Sequence, residues 1–381
     1  MTRLRRVVFF LVLLSVPFLS VAVPSGFSAE TNKAKEKKEE IRKVPSFPRK
    51  GIWLTARPLD KNFFDGKATL VYFWDYTSIN SIREVGILKK WDALYHPYGF
   101  QMLWIHAPEF PFAARRENVA GAARRFKIPY PIFLDNDFKL WDAYQVRSWP
   151  TKILVNDDRE IVYSDVGESG YVDTEKKIRD LLRRVDPGAV LPAPVFDKEI
   201  PKYSVRECGL MSNETYYGYK KAEWWGAELA NKQWMPRDKA VMFKDRGERV
   251  EHGFFAEGLW ISREEDMEHA HETKELTDYL GLMYTAHEVY GVLNQKGEAG
   301  KPAWIYVTRD GEPVPSDLRG RDLEEDESGW TYFKLRQSRL YYLIANEDKH
   351  FHELKLWTQA EGVAVNSFSF SNRCLSDFEH L

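Results

Sequence analysis

Two continuous runs of β-prone apolar residues constrain the fold of this chain more than any other feature. The runs are 68–74, ATLVYFW, and 100–106, FQMLWIH. Unbroken apolar character of this kind is typical of strands that are buried on both faces of a sheet. Between them, residues 79–95 place apolar side chains every three to four positions, which predicts an amphipathic helix. This strand–helix–strand unit predicts an α/β fold in which helices cover both faces of a mixed sheet.

The alternation of helices and strands continues to residue 185. The sequence predicts a helix over 114–128, a short strand over 131–136, a short helix over 138–146, a hairpin over 151–167 and a closing helix over 173–185. Asp173 is the expected N-cap of that last helix. The Pro-rich segment 186–196 then marks a boundary.

The second half of the chain has a different pattern. Short β-prone runs alternate with polar turns, which predicts an antiparallel sandwich of the all-β, jelly-roll-like kind. These runs are 258–262, 288–293, 303–311, 339–345, 352–358 and 363–371.

The N-terminus predicts export. A basic start, MTRLRR, precedes the apolar run 7–23, as in a secretory signal; the alternative is an uncleaved membrane anchor formed by residues 7–23. The location is therefore periplasmic or otherwise extracytoplasmic. The predicted organisation is a signal peptide or anchor over 1–29, a charged linker over 30–49, an α/β domain over 50–186, a Pro-rich linker over 187–204 and the β-sandwich over 205–381.

Charge and cysteine content restrict the partners and the chemistry. The formal net charge of -2 argues against a broad basic surface, so we expect no nucleic-acid partner. The chain has two cysteines, Cys208 and Cys374. They form either one disulfide or two buried thiols, and the sequence leaves both alternatives open.

Ser78 and Ser81 occupy the strand-to-helix junction that follows the first apolar run. The stretch FWDYTSINSIR (73–83) resembles the motif WTYxCINCxR of thioredoxin-like proteins of the TlpA and DipZ type, with both cysteines replaced by serine. IHAPEF (105–110), the segment 130–161 with its DND and WP elements, and GESGYVDTEKKIRDLL (167–182) resemble further motifs of that family. Segments 212–223, 307–314, 339–344 and 365–371 resemble the carbohydrate-binding-like sandwich that follows the thioredoxin fold there.

The resemblance implies a thioredoxin fold whose redox site has lost its sulfurs. A cysteine at a helix N-terminus is activated as a thiolate and exchanges disulfides. A serine hydroxyl cannot do this, because its pKa is too high and it has no disulfide-like oxidised state. We therefore expect a redox-inactive, non-enzymatic protein with no cofactor.

The resemblance also implies a binding groove. It places a cis-proline at Pro150 beside the site, where the preceding backbone is free to pair with an extended peptide. Trp74, Tyr76 and Trp149 would line this groove, or else pack as ordinary core and rim aromatics. The expected partner is a protein or peptide of the cell envelope, with the membrane involved only if the N-terminal segment is uncleaved.

Two other functions stay open. The first is thiol-disulfide exchange that uses Cys208, Cys374 or thiols of a partner. The second is binding of a glycan or envelope polymer through the sandwich, with tryptophans as a stacking platform or, more ordinarily, as core. The candidate tryptophans are Trp224, Trp225, Trp234, Trp260 and Trp330.

Two further chemistries have little support in the sequence. A serine hydrolase would need a base beside Ser78, and His106 is the nearest candidate, but no G-x-S-x-G surrounds the serine, and a helix N-cap explains it better. We expect no metal site. His269 and His271 would share one face of a strand, with Glu264, Glu265, Asp266, Glu268 and Glu272 nearby, but a charged exposed segment also explains them.

Overall fold

The run 68–74 forms a strand in which every residue is buried, as its unbroken apolar character predicts. Alternate side chains of this strand enter two different cores. Leu70, Tyr72 and Trp74 face one side of the sheet, and Val71 and Phe73 face the other. Both faces of the sheet are therefore covered by apolar side chains.

The computed structural model describes residues 42–47, 51–54, 59, 62–196, 211–225, 228–297, 301–348 and 350–372. The predicted signal segment 1–29 and both cysteines, Cys208 and Cys374, lie outside the described residues. Among the described helices, none is both long and apolar enough to cross a membrane.

The N-terminal part is a seven-stranded mixed sheet with the order β1-β7-β6-β3-β4-β5-β2. Strands β3, β4 and β5 run parallel, β6 is antiparallel to β3, and β7 is antiparallel to β6. The strands are β1 (Arg42–Lys43), β2 (Ile52–Trp53), β3 (Ala68–Trp74), β4 (Phe100–His106), β5 (Ile132–Leu134), β6 (Thr151–Val155) and β7 (Glu160–Val166). The helices are α1 (Ile79–Arg83), α2 (Val85–Tyr95), α3 (Arg116–Arg125), α4 (Lys139–Ala143) and α5 (Tyr171–Val185), with short 3-10 turns at His96–Tyr98 and Pro111–Ala114.

Three local details differ from the sequence prediction. The single helix predicted over 79–95 is interrupted at Glu84. Helix α5 begins at Tyr171, so Asp173 lies in its first turn and is not its N-cap. The N-cap is Gly170 at φ 66°, where a side chain would meet the Asp165 carboxyl at 2.7 Å. Strand β1 also extends the sheet into the segment 30–49 that the sequence predicts as a linker.

The C-terminal part is a large antiparallel sheet of 13 strands. Its strands are β8 (Thr215–Tyr216), β9 (Ala240–Phe243), β10 (Phe254–Ser262), β11 (Met267–His269), β12 (Tyr279–Tyr284), β13 (Glu288–Gln295), β14 (Ala303–Arg309), β15 (Glu312–Pro313), β16 (Glu324–Glu325), β17 (Thr331–Leu335), β18 (Arg339–Ala345), β19 (His352–Thr358) and β20 (Val363–Ser371). Helix α6 (Tyr219–Trp225) and a 3-10 turn at Ser316–Leu318 interrupt it, so this part is not purely β.

Strand β10 joins the two halves of this sheet. Its first residues pair with β12 and its last residues pair with β11. Apolar side chains from both halves share one core, for example Leu282 and Ile305 from one half with Val289 and Phe368 from the other. The predicted strands are all present. Seven further strands in the described part of the chain, β8, β9, β11, β12, β15, β16 and β17, have no counterpart among the predictions.

The two parts of the chain pack directly against each other. Tyr290, Val292 and Leu340 of β13 and β18 belong to the same apolar cluster as β3 and its covering helices. This contact lies on the side of the mixed sheet that Trp74 faces at the end of β3. The antiparallel sheet is therefore close to the junction that carries Ser78.

Candidate functional site

The junction between β3 and α1 has the shape that the sequence predicts. Ser78 is extended (φ -85°, ψ 116°), and its Oγ accepts a hydrogen bond from the Ser81 N–H at 3.4 Å, which confirms it as the N-cap of α1. Ser78 is half-buried, but Ser81 is fully buried. The Ser81 Oγ accepts from the Asp75 N–H at 3.4 Å. Both hydroxyls therefore hold local backbone groups.

The buried Asp75 carboxylate holds the loop between the strand and the helix. It accepts from the Thr77 N–H at 2.7 Å, from the Thr77 hydroxyl at 2.9 Å and from the Glu109 N–H at 2.5 Å. Burial raises the pKa of Asp75, but His106 and these backbone donors outweigh it, so that the pKa lies below its ordinary value. The carboxylate is thus an ionised anchor, and the loop keeps its form without a sulfur.

His106 does not serve either serine. Its ring is fully buried at the end of β4, and its Nε2 lies 3.6 Å from the Asp75 carboxylate. The ring stacks on Tyr76, with centroids 5.5 Å apart. In the described part of the chain, no hydrogen bond joins His106 to the Ser78 or Ser81 hydroxyl, so the arrangement lacks the serine–base contact of a hydrolase.

The predicted groove needs a correction. Trp74 and Tyr76 are buried and line no open surface, because Trp74 packs edge-on against Trp104 and the Tyr76 hydroxyl donates to the Ser338 carbonyl at 3.3 Å. Ser338 lies in the antiparallel sheet part, which therefore covers this flank of the junction. Sequence reasoning missed this cover because it depends on packing between residues more than 250 positions apart.

The other flank of the junction is open. Trp149 is half-buried, and the Trp149–Pro150 peptide bond is cis. One position beyond the Phe73–Thr151 register pair, Pro150 lies alongside Trp74, which places it at the end of β3 that leads to Ser78 and helix α1. The indole Nε1 donates to the Ala107 carbonyl at 2.9 Å, which fixes the ring.

Trp149 begins a row of partly exposed aromatic rings, which we call the aromatic row. It contains Trp149, Trp141 and Phe138, with centroid distances of 4.6 and 5.9 Å between successive rings. Among the described residues, none accepts a hydrogen bond from the Trp149 backbone N–H, and Trp149 lies outside strand β6. This flank thus combines an apolar surface with an unused backbone donor.

A buried ionic network lies beneath the junction, and the sequence analysis did not predict it. The Lys152 ammonium contacts Glu84 at 2.5 Å and Asp165 at 3.1 Å. Arg83 contacts Glu168 at 3.2 Å and reaches Glu288 of the antiparallel sheet at 3.6 Å. The signal in the sequence was Lys152 itself, a charged residue inside the buried run TKILV.

The network has fewer cations than carboxylates, and this shifts its proton affinities. Burial raises the pKa of Glu84 to about 7, although the Lys152 ammonium opposes the shift. Burial lowers the pKa of Lys152, but Glu84 and Asp165 outweigh it and raise the pKa above its ordinary value. Lys152 therefore stays charged, while Glu84 takes up a proton near neutral pH.

The remaining predicted site residues, the two histidines and the candidate tryptophans, belong to the C-terminal part of the chain. His269 and His271 both contact Asp278, which the sequence analysis did not select. The five nearby acids instead form ion pairs with Lys220, Lys296 and Lys301. Of the candidate stacking tryptophans, Trp260 is buried core, whereas Trp234 and Trp330 are exposed.

Comparison with known proteins finds similarity in both parts of the chain. Residues 212–371 match a family described as thioredoxin-like C-terminal domain. A solved thiol-disulfide isomerase from Corynebacterium glutamicum aligns with a TM-score of 0.33 and 16% identity, covering 36% of this chain and 96% of that one. The parallel β3-β4-β5 core, the helix that begins at Ser78 and the X-Pro bond at its side together define a thioredoxin-like domain.

One curated relative matches most of the chain, and another matches about a third of it. Protein DipZ of Mycobacterium bovis is 29% identical over 277 residues, which is 71% of this chain and 37% of that protein. The thiol-disulfide oxidoreductase ResA of Halalkalibacterium halodurans is 25% identical over 136 residues, 36% of this chain and 72% of that protein. This chain thus has a thioredoxin-like domain and homologues of the DipZ and ResA type, and its match spans little more than a third of DipZ.

The ionic network predicts that the free energy of unfolding depends on pH. Glu84 binds its proton more tightly in the folded chain (pKa about 7) than in the unfolded one (4.5), so its contribution is full below pH 4.5 and is lost as the pH rises to 7. Relative to Glu84→Gln, we expect the free energy of unfolding of the wild type to fall by about 3 kcal/mol over this interval. Urea unfolding at a series of pH values measures it.

The exposed Glu117 on α3 provides the control for this measurement. Glu117→Gln should leave the pH profile of the wild type unchanged. Wild-type and Glu84→Gln curves that stay parallel from pH 4.5 to 7 would contradict the protonation of Glu84 described here.

Proposed function

We propose that this chain is an exported thioredoxin-fold protein that binds an extended polypeptide beside Ser78 and does not exchange disulfides there. The observation that carries the proposal is the open flank of the junction, where the aromatic row and the unused Trp149 N–H lie together. Export is inferred from the predicted signal segment over residues 1–29.

Chemistry at the two serines supports a non-catalytic role. Disulfide exchange needs a sulfur that attacks and a second sulfur that resolves the mixed disulfide. Here the Ser78 and Ser81 hydroxyls are engaged with the Ser81 and Asp75 N–H groups. The nearby Asp75 carboxylate is an acceptor for three donors of the loop, which leaves no base directed at either hydroxyl among the described residues.

Binding needs only the surface that remains. An extended segment that pairs with exposed backbone gains main-chain hydrogen bonds, and contact of its side chains with apolar surface adds affinity. The Trp149 N–H is a donor for such a segment, and Trp149, Trp141 and Phe138 offer apolar contact area next to it. Since the antiparallel sheet covers the Tyr76 flank, the segment would approach from the Trp149 side.

Reductase assays test the absence of thiol chemistry. We expect no insulin reduction by the wild type above the dithiothreitol background. The double variant Ser78→Cys with Ser81→Cys should gain measurable turnover, because both sulfurs would stand at the start of a helix, where a thiolate is stabilised. Turbidity during insulin reduction measures the rate.

The single variant Ser78→Cys is the matched control, since it has an attacking sulfur but no resolving one, and it should stay without turnover. Wild-type turnover that disappears in Cys208→Ser would overturn the proposal in favour of exchange through the other cysteines. A folded but inactive double variant would contradict the assignment of the two positions.

Peptide binding tests the open flank directly. A reduced and alkylated unfolded protein serves as the probe, and fluorescence anisotropy measures its affinity. Trp149→Ala should weaken binding by about tenfold, because a central aromatic anchor contributes more than about 1 kcal/mol. Trp304→Ala, which removes an exposed tryptophan from the antiparallel sheet, should leave the affinity unchanged. Equal affinities of wild type and Trp149→Ala would exclude this surface.

A second candidate function is polysaccharide binding, and a separate aromatic surface favours it. Trp304 and Trp330 are 43% and 39% exposed. Tyr306 and Tyr332 connect them, with ring centroids 4.8 to 6.3 Å apart along the chain of contacts. Such a row on a sheet face suits stacking against sugar rings.

Affinity electrophoresis in gels that contain a soluble cell-wall polysaccharide separates the two functions. If the sheet face binds sugar, Trp304→Ala should lose the retardation that the wild type shows, and Trp149→Ala should keep it. Unretarded wild-type protein in every polysaccharide tried would leave polypeptide binding as the function to pursue.

A further inference from the structure

We propose that His269, His271 and Asp278 form a binding site for a divalent first-row transition metal such as Zn²⁺. The site lies in the antiparallel sheet, independent of the serine junction. Its donor atoms, two imidazole nitrogens and one carboxylate oxygen, lie within 4.8 Å of one another. Two histidines and a carboxylate are a ligand set that Zn²⁺ and related metals accept.

The sheet brings these residues together through β10. His269 ends β11 and lies opposite Trp260 of β10, and Tyr279 at the start of β12 lies opposite Glu257 of the same strand. Asp278 directly precedes β12, so the register places it beside Gly258. The ligands thus come from the ends of two different strands. The spacing of residues in the sequence does not reveal this arrangement.

The contacts of Asp278 with the two histidines are slightly shorter than the separation of ligand atoms around a metal ion. The Asp278 Oδ2 lies 3.1 Å from the His269 Nε2 and 2.8 Å from the His271 Nε2. Ligand atoms about 2.0 to 2.1 Å from a tetrahedral Zn²⁺ are about 3.3 Å apart. To admit the ion, the two Asp278 contacts would therefore lengthen by a few tenths of an ångström.

The hydrogen bond on the far side of His269 orients its ring as a ligand. The Nδ1 lies 2.9 Å from the Ala360 carbonyl, an acceptor that requires the proton on Nδ1. In the neutral ring, the Nε2 lone pair then faces the Asp278 carboxylate, and a bound cation would satisfy both atoms. A carbonyl behind a histidine ligand is a common feature of protein metal sites.

Asp278 is also held in place from outside the cluster. Its Oδ1 accepts from the Thr277 hydroxyl at 2.8 Å, and its Oδ2 accepts from the Leu259 N–H at 3.1 Å. Gly258 adopts φ +99°, and a side chain there would meet the carboxylate oxygen at 1.9 Å. Only glycine at this position allows the carboxylate to reach the two histidines.

Access to the cluster is from one side. His269 is buried, whereas the His271 side chain is 36% exposed. A cation can therefore enter past His271, and water can complete its coordination on that side. The acids adjacent in sequence are paired with lysines, for example Asp266 and Glu268 with Lys296, so they do not compete for the ion.

Zinc binding by the purified chain tests the proposal. After treatment with a chelator and its removal, calorimetric titration with Zn²⁺ should give one ion per chain. At a hundredfold excess of Zn²⁺ over Kd, the melting temperature should rise by about 5 °C. His271→Ala should weaken binding at least tenfold, and Asp278→Asn should do the same.

Titration of the wild type with Co²⁺ should give visible absorption bands of a low-symmetry four-coordinate site.

His350→Ala is the matched control, because His350 is an exposed histidine that also lies beside an aspartate, Asp348. It should bind Zn²⁺ like the wild type. A wild type that takes up no Zn²⁺ would overturn the proposal, since the cluster would then be an ordinary His–Asp hydrogen-bond network. Zinc uptake unchanged in both His271→Ala and Asp278→Asn would overturn it equally, because the ion would bind elsewhere.

Discussion

The buried contact between Lys152 and Glu84 connects the elements on which the rest of the structure depends. Lys152 belongs to β6, directly after the cis X-Pro bond, and Glu84 directly follows helix α1. Neighbouring Arg83 extends the connection to Glu288 in the antiparallel sheet. An isolated buried charge is costly, and the network gives each of the two cations at least two carboxylate partners.

Ser78 and Ser81 are part of the same junction, and their hydroxyls accept hydrogen bonds from its backbone. The loop that precedes them is held by Asp75, and the helix that follows begins with an ordinary serine cap. Neither feature depends on sulfur chemistry. The geometry of a thioredoxin-like junction therefore does not require the two cysteines, because serine at both positions holds the same loop and helix start.

Local pattern predicted most of the fold. The apolar runs form β3 and β4, the hairpin forms within the predicted range 151–167, and Ser78 caps its helix. The failures concern contacts between distant parts of the chain. Burial of Tyr76 depends on Ser338, the position of Asp278 depends on the register of β10, and neither is encoded in neighbouring residues. The N-cap of α5 is Gly170 and not Asp173, because the backbone at the cap has a positive φ, which glycine adopts without strain.

The shared apolar contact between the two sheets also determines how the chain can be divided. Residues such as Tyr290 and Leu340 complete the core that covers β3. Cleavage within the Pro-rich segment 187–196, followed by separation of the halves, would bring this face of each half into water, together with the carboxylate of Glu288 and the guanidinium of Arg83 without their mutual contact. Each excised half would then self-associate through the newly exposed face, and its solution behaviour would reflect that artificial surface more than the intact molecule.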